Sequence, residues 1–365
     1  MAQRLTQGGS ERQLTEIVSG LDRKLFEPHV ADLRPGGARF DELRAAGVPI
    51  ICASLNSFVS PSALSAGWRL SRYLRRRRIK LAHSFDVPSN IFMVPVARLS
   101  GVPVVLSSQR AFRSLTPKQY GPLVRFSDRL VDGIVVNCRA LEQHLITGEN
   151  IPESMIRLCY NGINTDFFRR EVNQPCESAH KQLTVGIICA LRPEKDIPTL
   201  VKAFAIVRRE HPDMRLLIVG DGEMQEPLAR LCNDLGQRDH TEFVPSTAEV
   251  PRWLSQMDIF VLPSTSEALS NSLMEAMACG CAPIASNVGG NGELVEHGSR
   301  GLLFRAGDAE DLARQISVLA LDGELRTRFA EASRRFIHEN FSLAASVTRM
   351  TEIYLEAIAK KQRRA

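Results

Sequence analysis

The sequence has no long hydrophobic run, no cysteine pairing pattern and no metal-ligand cluster, and each absence removes a class of function. No stretch approaches the eighteen or so apolar residues of a membrane span, and the start MAQRLTQGGSERQL lacks the apolar segment of a secretion signal. The eight cysteines, at 52, 138, 159, 176, 189, 232, 279 and 281, form no CxxC pair and no Cys/His ligand spacing, so reduced thiols and a cytoplasmic location are expected. No DxD triplet or other acidic cluster has metal-ligand spacing, so no bound metal is expected either. Aromatic residues total only 6%, too few for a base-stacking surface, which argues against nucleic acid as a partner. A nicotinamide dinucleotide site would want GxGxxG; Gly220-Asp221-Gly222 runs on into Met224 and Gln225, so that fingerprint is absent.

What remains is an ordinary globular composition, 44% hydrophobic and 24% charged, in 365 residues, enough for two domains each with its own core. Charge is distributed unevenly. Residues 1–171 carry 24 Lys and Arg against 15 Asp and Glu, and the remainder 22 against 26, which together give the net +5. The densest basic stretch, Arg72 with Arg75, Arg76, Arg77, Arg78 and Lys80, follows an apolar helical pattern of Leu64, Trp68, Leu70 and Leu74. A solvated helix end accounts for it; so does attraction to anionic headgroups on the inner face of a membrane, or to a phosphorylated acceptor.

From residue 183 onward, short β-branched runs alternate with longer amphipathic ones, the pattern of βα units around a parallel sheet. Strands are expected at 183–190, 215–219, 241–244, 259–262, 282–285 and 301–304, with helices at about 197–210, 223–236, 248–256, 270–279 and 308–321. The first half reads similarly, with helices 10–20 and 38–46 and strands 29–33, 49–52, 79–83, 103–107 and 133–137. The expected division is therefore a Rossmann-like domain at 1–167, a linker at 168–182, a second Rossmann-like domain at 183–338, and a crossover helix with a basic tail at 339–365. Only MAQRL precedes Thr6-Gln7-Gly8-Gly9, so the first strand is missing or truncated, and the true start is expected upstream.

Ligands of open α/β sheets bind beyond the carboxyl ends of the strands, which directs attention to three loops. In Cys189-Ala190-Leu191-Arg192-Pro193-Glu194-Lys195-Asp196, Asp196 looks like a helix N-cap and Pro198 falls in the first turn. Arg192 and Lys195 would crowd the positive end of that helix, which a diphosphate would relieve; pairing with Glu194 and Asp196 would relieve it equally well. In Pro263-Ser264-Thr265-Ser266-Glu267-Ala268-Leu269-Ser270-Asn271 a Ser/Asn-rich turn offers backbone amides at the entry to a helix. On that helix Asn271 and Glu275 align among Leu273, Met274, Ala276, Met277 and Ala278, and a carboxylate so placed needs partners. Ribose hydroxyls would serve Glu275, and Glu267 could reach the same place; an internal arginine and plain solvent are the alternatives. The third loop, Val219-Gly220-Asp221-Gly222-Glu223, permits close backbone approach but is a common αβ turn.

Taken together, S-E-A-L-S-N-S-L-M-E-A-M-A-C-G (266–280), L-R-P-E-K-D (191–196), I-V-G-D-G (218–222), Y-N-G-I-N-T-D-F-F (160–168) and G-G-S-E-R (8–12) resemble glycosyltransferase family 4, in the family's order and over nearly the whole chain. The resemblance implies an α/β fold of the GT-B type, two doubly wound domains facing a central cleft with a C-terminal helix crossing between them. It also implies a retaining, metal-independent hexosyl transfer from a nucleotide-diphosphate sugar to a glycan, lipid-linked or small hydroxyl acceptor, in cell-surface polysaccharide or glycolipid synthesis. No cofactor is implied. Glu275 would hold the ribose, Glu267 the transferred sugar, and Arg192 with Lys195 the diphosphate, with Gly220 and the amides of Leu269, Ser270 and Asn271 contributing. Gly8, Gly9 and Ser10, with His83, Gln109 and Arg110, would form the phosphate and acceptor side of the first domain. The pattern departs from the family at Ala190, where an arginine is usual, at Gln109, where a histidine is usual, and at Ala268 and Pro245, where glycines are common. A satisfied core histidine is the simpler account of His83. A nucleotide-sugar epimerase, or an inactive nucleotide-sugar-binding protein of the same fold, remains as an alternative; a phosphorylase would need a cofactor-anchoring lysine motif that is absent.

Overall fold

The structure, a computed structural model, describes residues 1–6, 8–55, 61–170 and 182–363. It divides into two compact units, residues 1–162 with 343–365, and residues 163–342. Of the linker expected at 168–182, residues 171–181 lie outside the described residues.

In the first unit the strands are β1 (Val30–Asp32), β2 (Ile50–Cys52), β3 (Leu81–Ser84), β4 (Val104–Gln109), β5 (Gly133–Val136) and β6 (Ile156–Leu158). The helices between them are α1 (Gly9–Gly20), α2 (Ala38–Ala45), α3 (Pro61–Arg76), α4 (Val87–Leu99), α5 (Gly121–Asp128) and α6 (Arg139–Glu149). All strand pairs are parallel: β1 with β2, and β3, β4, β5 and β6 in that order. β4 and β5 are buried along their whole length, which is why, up to the Gln109 that ends β4, they read as unbroken apolar or small-residue runs rather than alternating ones.

The strand missing from the sequence pattern survives as a stub between β1 and β3. The Ala2 amide donates to Ala31 O at 3.1 Å on one side, and on the other the Phe85 amide donates to Met1 O at 3.0 Å. Ala2 also bridges Asp32 in parallel. Three residues thus join the two groups of strands, satisfying backbone groups that would otherwise be buried without partners.

The second unit is a six-stranded parallel sheet of β7 (Thr184–Ile188), β8 (Arg215–Val219), β9 (Thr241–Val244), β10 (Ile259–Leu262), β11 (Ala282–Ser286) and β12 (Leu302–Phe304). Its helices are α7 (Ile197–Val207), α8 (Gln225–Asp234), α9 (Val250–Leu254), α10 (Asn271–Ala278), α11 (Asn291–Leu294), α12 (Ala309–Leu321) and α13 (Gly323–Asn340). The order β12-β11-β10-β7-β8-β9 is that of a doubly wound sheet whose winding reverses between β7 and β10. β7, β10 and β11 are wholly buried, and α7, apolar on most of its surface, packs against α12.

The last helix, α14 (Leu343–Gln362), lies within the expected segment 339–365 and groups with the first unit. There Met350, Ile353 and Tyr354 enter the core formed by Leu14 and Ile17 of α1 with Val104 and Leu106 of β4.

Candidate functional site

The strand order reverses between β7 and β10, and the carboxyl ends of strands at such a reversal are where open α/β sheets bind ligands, because the connections from the two strands depart to opposite faces. The loop after β7 carries a short 3-10 turn, Pro193–Lys195, and the loop after β10 leads into α10. The Thr265 amide donates to Glu194 O at 2.9 Å, fastening one loop to the other. Across that fastening the Lys195 ammonium donates to Glu267 Oε1 in a short, charge-assisted contact, and the Ser264 hydroxyl donates to the same oxygen at 3.0 Å. The side chains of Lys195 and Glu267 are 19% and 11% exposed, so the pair is largely removed from solvent.

Burial alone would pull the lysine pKa down; the Glu267 carboxylate, helped by Cys189 and Glu194, outweighs it, and the net shift is upward. Lys195 is therefore a fixed cation at neutral pH. Cys189 beside it is driven by burial up to about 12 and stays a thiol. Ser264 is fully buried, its carbonyl accepting from Ser286 Oγ at 2.6 Å, while the Asn291 amide donates to Ser286 O at 3.1 Å. That chain gives Glu267 a rigid base. Ser264 was missed in the sequence because a buried serine in a serine-rich turn carries no signal of its own.

The ion-pair partner of Lys195 is neither of the acids weighed from the sequence, Glu194 and Asp196. Lys195 is paired with Glu267, but an ammonium has three donors, and among the described residues only one of them is used. Glu267 is not a solvated loop acid. Arg192 follows the plainer alternative: its side chain is 64% exposed, and its only ion pair among the described residues is a loose one, 3.9 Å from Glu194. Asp196 occupies the N-cap position of α7, with φ +47°, but its carboxylate accepts from the Thr199 hydroxyl at 2.7 Å instead of capping a backbone amide.

Four residues beyond Glu267, α10 begins. Ser270 caps it, accepting from the Leu273 amide at 3.3 Å, and Leu269 and Ser270 are both buried. One turn further in, Glu275 is 5% exposed on a helix packed against α13 and β11. Asn271 and Glu275 each have interactions of their own, so neither waits unpartnered for a ligand. Gly220 serves packing: at φ +142° a methyl group there would collide with the Cys189 carbonyl, so the glycine lets the turn after β8 sit against the loop after β7.

The first unit holds the remaining expected residues. Gly8 is the N-cap of α1, and Gly9 and Ser10 open the helix; the Glu11 carboxylate folds back over Gly8, placing the chain's own anion at that helix end. His83 is a core histidine: Nδ1 meets the Tyr354 hydroxyl at 2.8 Å and Nε2 the Ser108 hydroxyl at 2.9 Å. Burial, with the Met1 amine and Arg110, holds its pKa well below the ordinary value, so it is neutral and fully engaged. Gln109 is buried with its amide nitrogen donating to Ala111 O at 2.6 Å.

Arg110 differs from these. It donates to Asn161 Oδ1 at 2.7 Å and lies over the Phe85 ring, 4.9 Å from its centroid, and it has no carboxylate partner among the described residues. Its Nε is buried without an acceptor, and burial pulls its pKa below the usual range. Asn137, next to Asn161, likewise has a buried Oδ1 without a donor. Asn161 lies in the Y-N-G-I-N-T-D-F-F stretch that carries part of the family resemblance, whereas Asn137 did not stand out in the sequence.

Among the described residues no three His, Cys, Asp or Glu side chains gather as a metal-ligand group, and no helix is long and apolar enough to cross a membrane.

Two family profiles match consecutive stretches of the chain: "Glycosyltransferase Family 4" over residues 7–167 and "Glycosyl transferases group 1" over residues 168–336. N-acetyl-alpha-D-glucosaminyl L-malate synthase of Bacillus anthracis is 30% identical over 211 residues, 57% of this chain and 55% of that protein. The lipopolysaccharide core biosynthesis glycosyltransferase LpsE of Rhizobium meliloti is 32% identical over 167 residues, 46% of this chain and 47% of that one. The chain thus spans about half the length of these curated relatives. Anabaena HepE, solved in complex with UDP-glucose, superposes with a TM-score of 0.85 over 97% of this chain and 98% of its own, at 19% identity.

Proposed function

We propose that this chain, which belongs to glycosyltransferase family 4 and has the GT-B fold of two Rossmann-like domains, transfers a hexosyl group from a nucleotide-diphosphate sugar to a hydroxyl acceptor with retention of anomeric configuration. The observation that carries the reading is the half-buried Lys195 and Glu267 pair at the β7/β10 reversal, with Glu267 four residues ahead of the start of α10.

In this reading the nucleotide lies along the strand tips of the second unit. Its ribose is held by Glu275, and the diphosphate meets the two spare donors of Lys195 and the amides of Leu269, Ser270 and Asn271. Glu267 has two tasks: one oxygen fixes Lys195, and the other accepts from hydroxyls of the transferred sugar. Arg192, exposed and loosely paired, is free to swing onto the phosphate.

The bond from the anomeric carbon to the diphosphate oxygen breaks with its electron pair leaving on the phosphate. The acceptor oxygen bonds the anomeric carbon from the same face, and its proton passes to the departing diphosphate. Ammonium and amide dipoles fixed before the reaction stabilise the growing phosphate charge without reorganising, which is where most of the rate enhancement would arise. No metal is needed in this scheme. Arg110, a cation with no carboxylate partner among the described residues, suits an acceptor that carries an anionic group, such as a phosphate- or lipid-linked glycan in polysaccharide or glycolipid synthesis.

The test is thermal-shift and calorimetric binding of UDP-, GDP- and ADP-sugars to the full chain, beginning with UDP-glucose. One of them should bind in the presence of EDTA and lose affinity in Glu275→Gln. Absence of binding to all three classes would overturn the proposal, and conversion of donor without acceptor would favour an epimerase.

A further inference from the structure

The first unit carries a face that nothing in a sugar-transfer reaction requires. α3 buries Ala66, Leu70 and Leu74 and packs against α4. On its opposite side Leu64 is 81% exposed and Trp68 63% exposed, and the last residue of α4, Leu99, is 80% exposed. At 100° per residue Leu64, Trp68, Arg72 and Arg75 fall within one stripe about 80° wide, so the two apolar side chains and the first cations share a face. Arg75 donates to Leu99 O at 2.9 Å, which brings the end of α4 to that face. Arg72 lies over the Trp68 ring, 5.4 Å from its centroid.

Charge completes the picture. Arg72, Arg75 and Arg76 on the helix, and Arg77, Arg78 and Lys80 just after it, are all exposed, and none forms an ion pair among the described residues. Between Glu42 and Asp128 the sequence has a single acid, Asp86. Large apolar side chains left in water beside an uncompensated cationic cluster are costly for a purely solvated helix end, but they are the composition of a helix that lies in a membrane interface. There tryptophan and leucine enter the headgroup boundary while arginines meet lipid phosphates.

We propose that the exposed face of α3, with Leu99, docks the protein on an anionic lipid bilayer, Leu64, Trp68 and Leu99 inserting and the arginine cluster binding headgroups. Nucleic acid would satisfy the arginines but leave Leu64 and Leu99 without a role. A second copy of this chain would bring the same cationic cluster against itself. The inference does not depend on the transferase reading.

The experiment is co-sedimentation of the full chain with phosphatidylcholine vesicles containing 0 or 30% phosphatidylglycerol, in 0.15 M salt. Binding is expected only to the anionic vesicles. Each arginine near the surface contributes about a fivefold factor, so Arg72→Ser/Arg75→Ser/Arg76→Ser should weaken partitioning roughly a hundredfold. Leu64→Ser/Trp68→Ser should abolish it, and Arg334→Ser/Arg335→Ser, on exposed α13 positions, should leave it unchanged. All these side chains are exposed, so melting temperatures should stay within a few degrees of the parent.

The proposal is overturned by equal binding to both vesicles or to neither, or by a control variant that loses as much as the triple. It is also overturned by a dimer that dissociates in Leu64→Ser/Trp68→Ser, or by oligonucleotide binding that matches vesicle binding and ignores Leu64.

Discussion

Replacing Lys195 by alanine separates the two consequences of the half-buried ion pair. An exposed pair is worth at most about 1 kcal/mol, whereas removing one partner of a fully buried pair costs about 3–5 kcal/mol. Lys195 and Glu267, at 19% and 11% side-chain exposure, sit between these limits, and about 2 kcal/mol is expected once solvent screening is allowed for. At roughly 2–4 °C per kcal/mol for a unit of this size, the melting temperature should fall by about 4–8 °C. Turnover should fall further than stability requires. Losing one preorganised group that stabilises developing charge typically costs a factor of about 10² to 10³ in kcat. The assay is single-substrate kinetics at saturating donor, well below the melting point of the variant, alongside a stability cycle with Glu267→Gln. That cycle should give a coupling of about 1 kcal/mol or more, because each single change strands the other group. Turnover of Lys195→Ala within threefold of the parent would refute the assignment of Lys195 to the leaving diphosphate, whatever the stability result.

His83 is held neutral by burial and by the Met1 amine and Arg110, so below about pH 6.5 the unfolded chain takes up a proton that the folded chain refuses. Stability should therefore fall as the pH drops from 7 toward 5, by up to about 1.4 kcal/mol per pH unit for this group, and urea midpoints of His83→Gln should show a shallower fall. An identical pH slope in the variant would sink that account. Arg110→Met should leave the melting temperature nearly unchanged, since it removes a poorly compensated charge, yet raise the acceptor KM at least tenfold; an unchanged KM would remove Arg110 from the acceptor side. Gly220→Ala, colliding with the Cys189 carbonyl, should cost several kcal/mol, whereas Gly236→Ala, at φ +66° with open space around it, should cost about 1 kcal/mol; equal denaturant midpoints would mean the turn after β8 is not packed as described.

Much of the architecture was legible because parallel strands buried on both faces must be continuously apolar. β8, β9 and β10 begin and end at the residues expected, and β7 and β11 differ only at their ends. β6 was overlooked because Ile156–Leu158 is three residues long, with Arg157 in its middle. The truncated first strand was noticed from what precedes Gly8, but not that three residues would suffice to join β1 to β3. Such a junction is made by backbone hydrogen bonds, to which side-chain patterns are blind.

The sequence by itself determined the fold class, the family, and the two loops at the β7/β10 reversal, because those depend on residue type and short-range spacing. Tertiary structure alone decided which charges meet there. Lys195 and Glu267 are 72 positions apart, and nothing in either loop says that they pair while Arg192 stays in solvent. It likewise decided that His83 is consumed by Tyr354, 271 positions away, and that Trp68 and Leu64 are left outside while Leu70 and Leu74 are buried. Pairing and exposure are set by where separate elements come to rest, and that is a property of the packed chain and not of any segment.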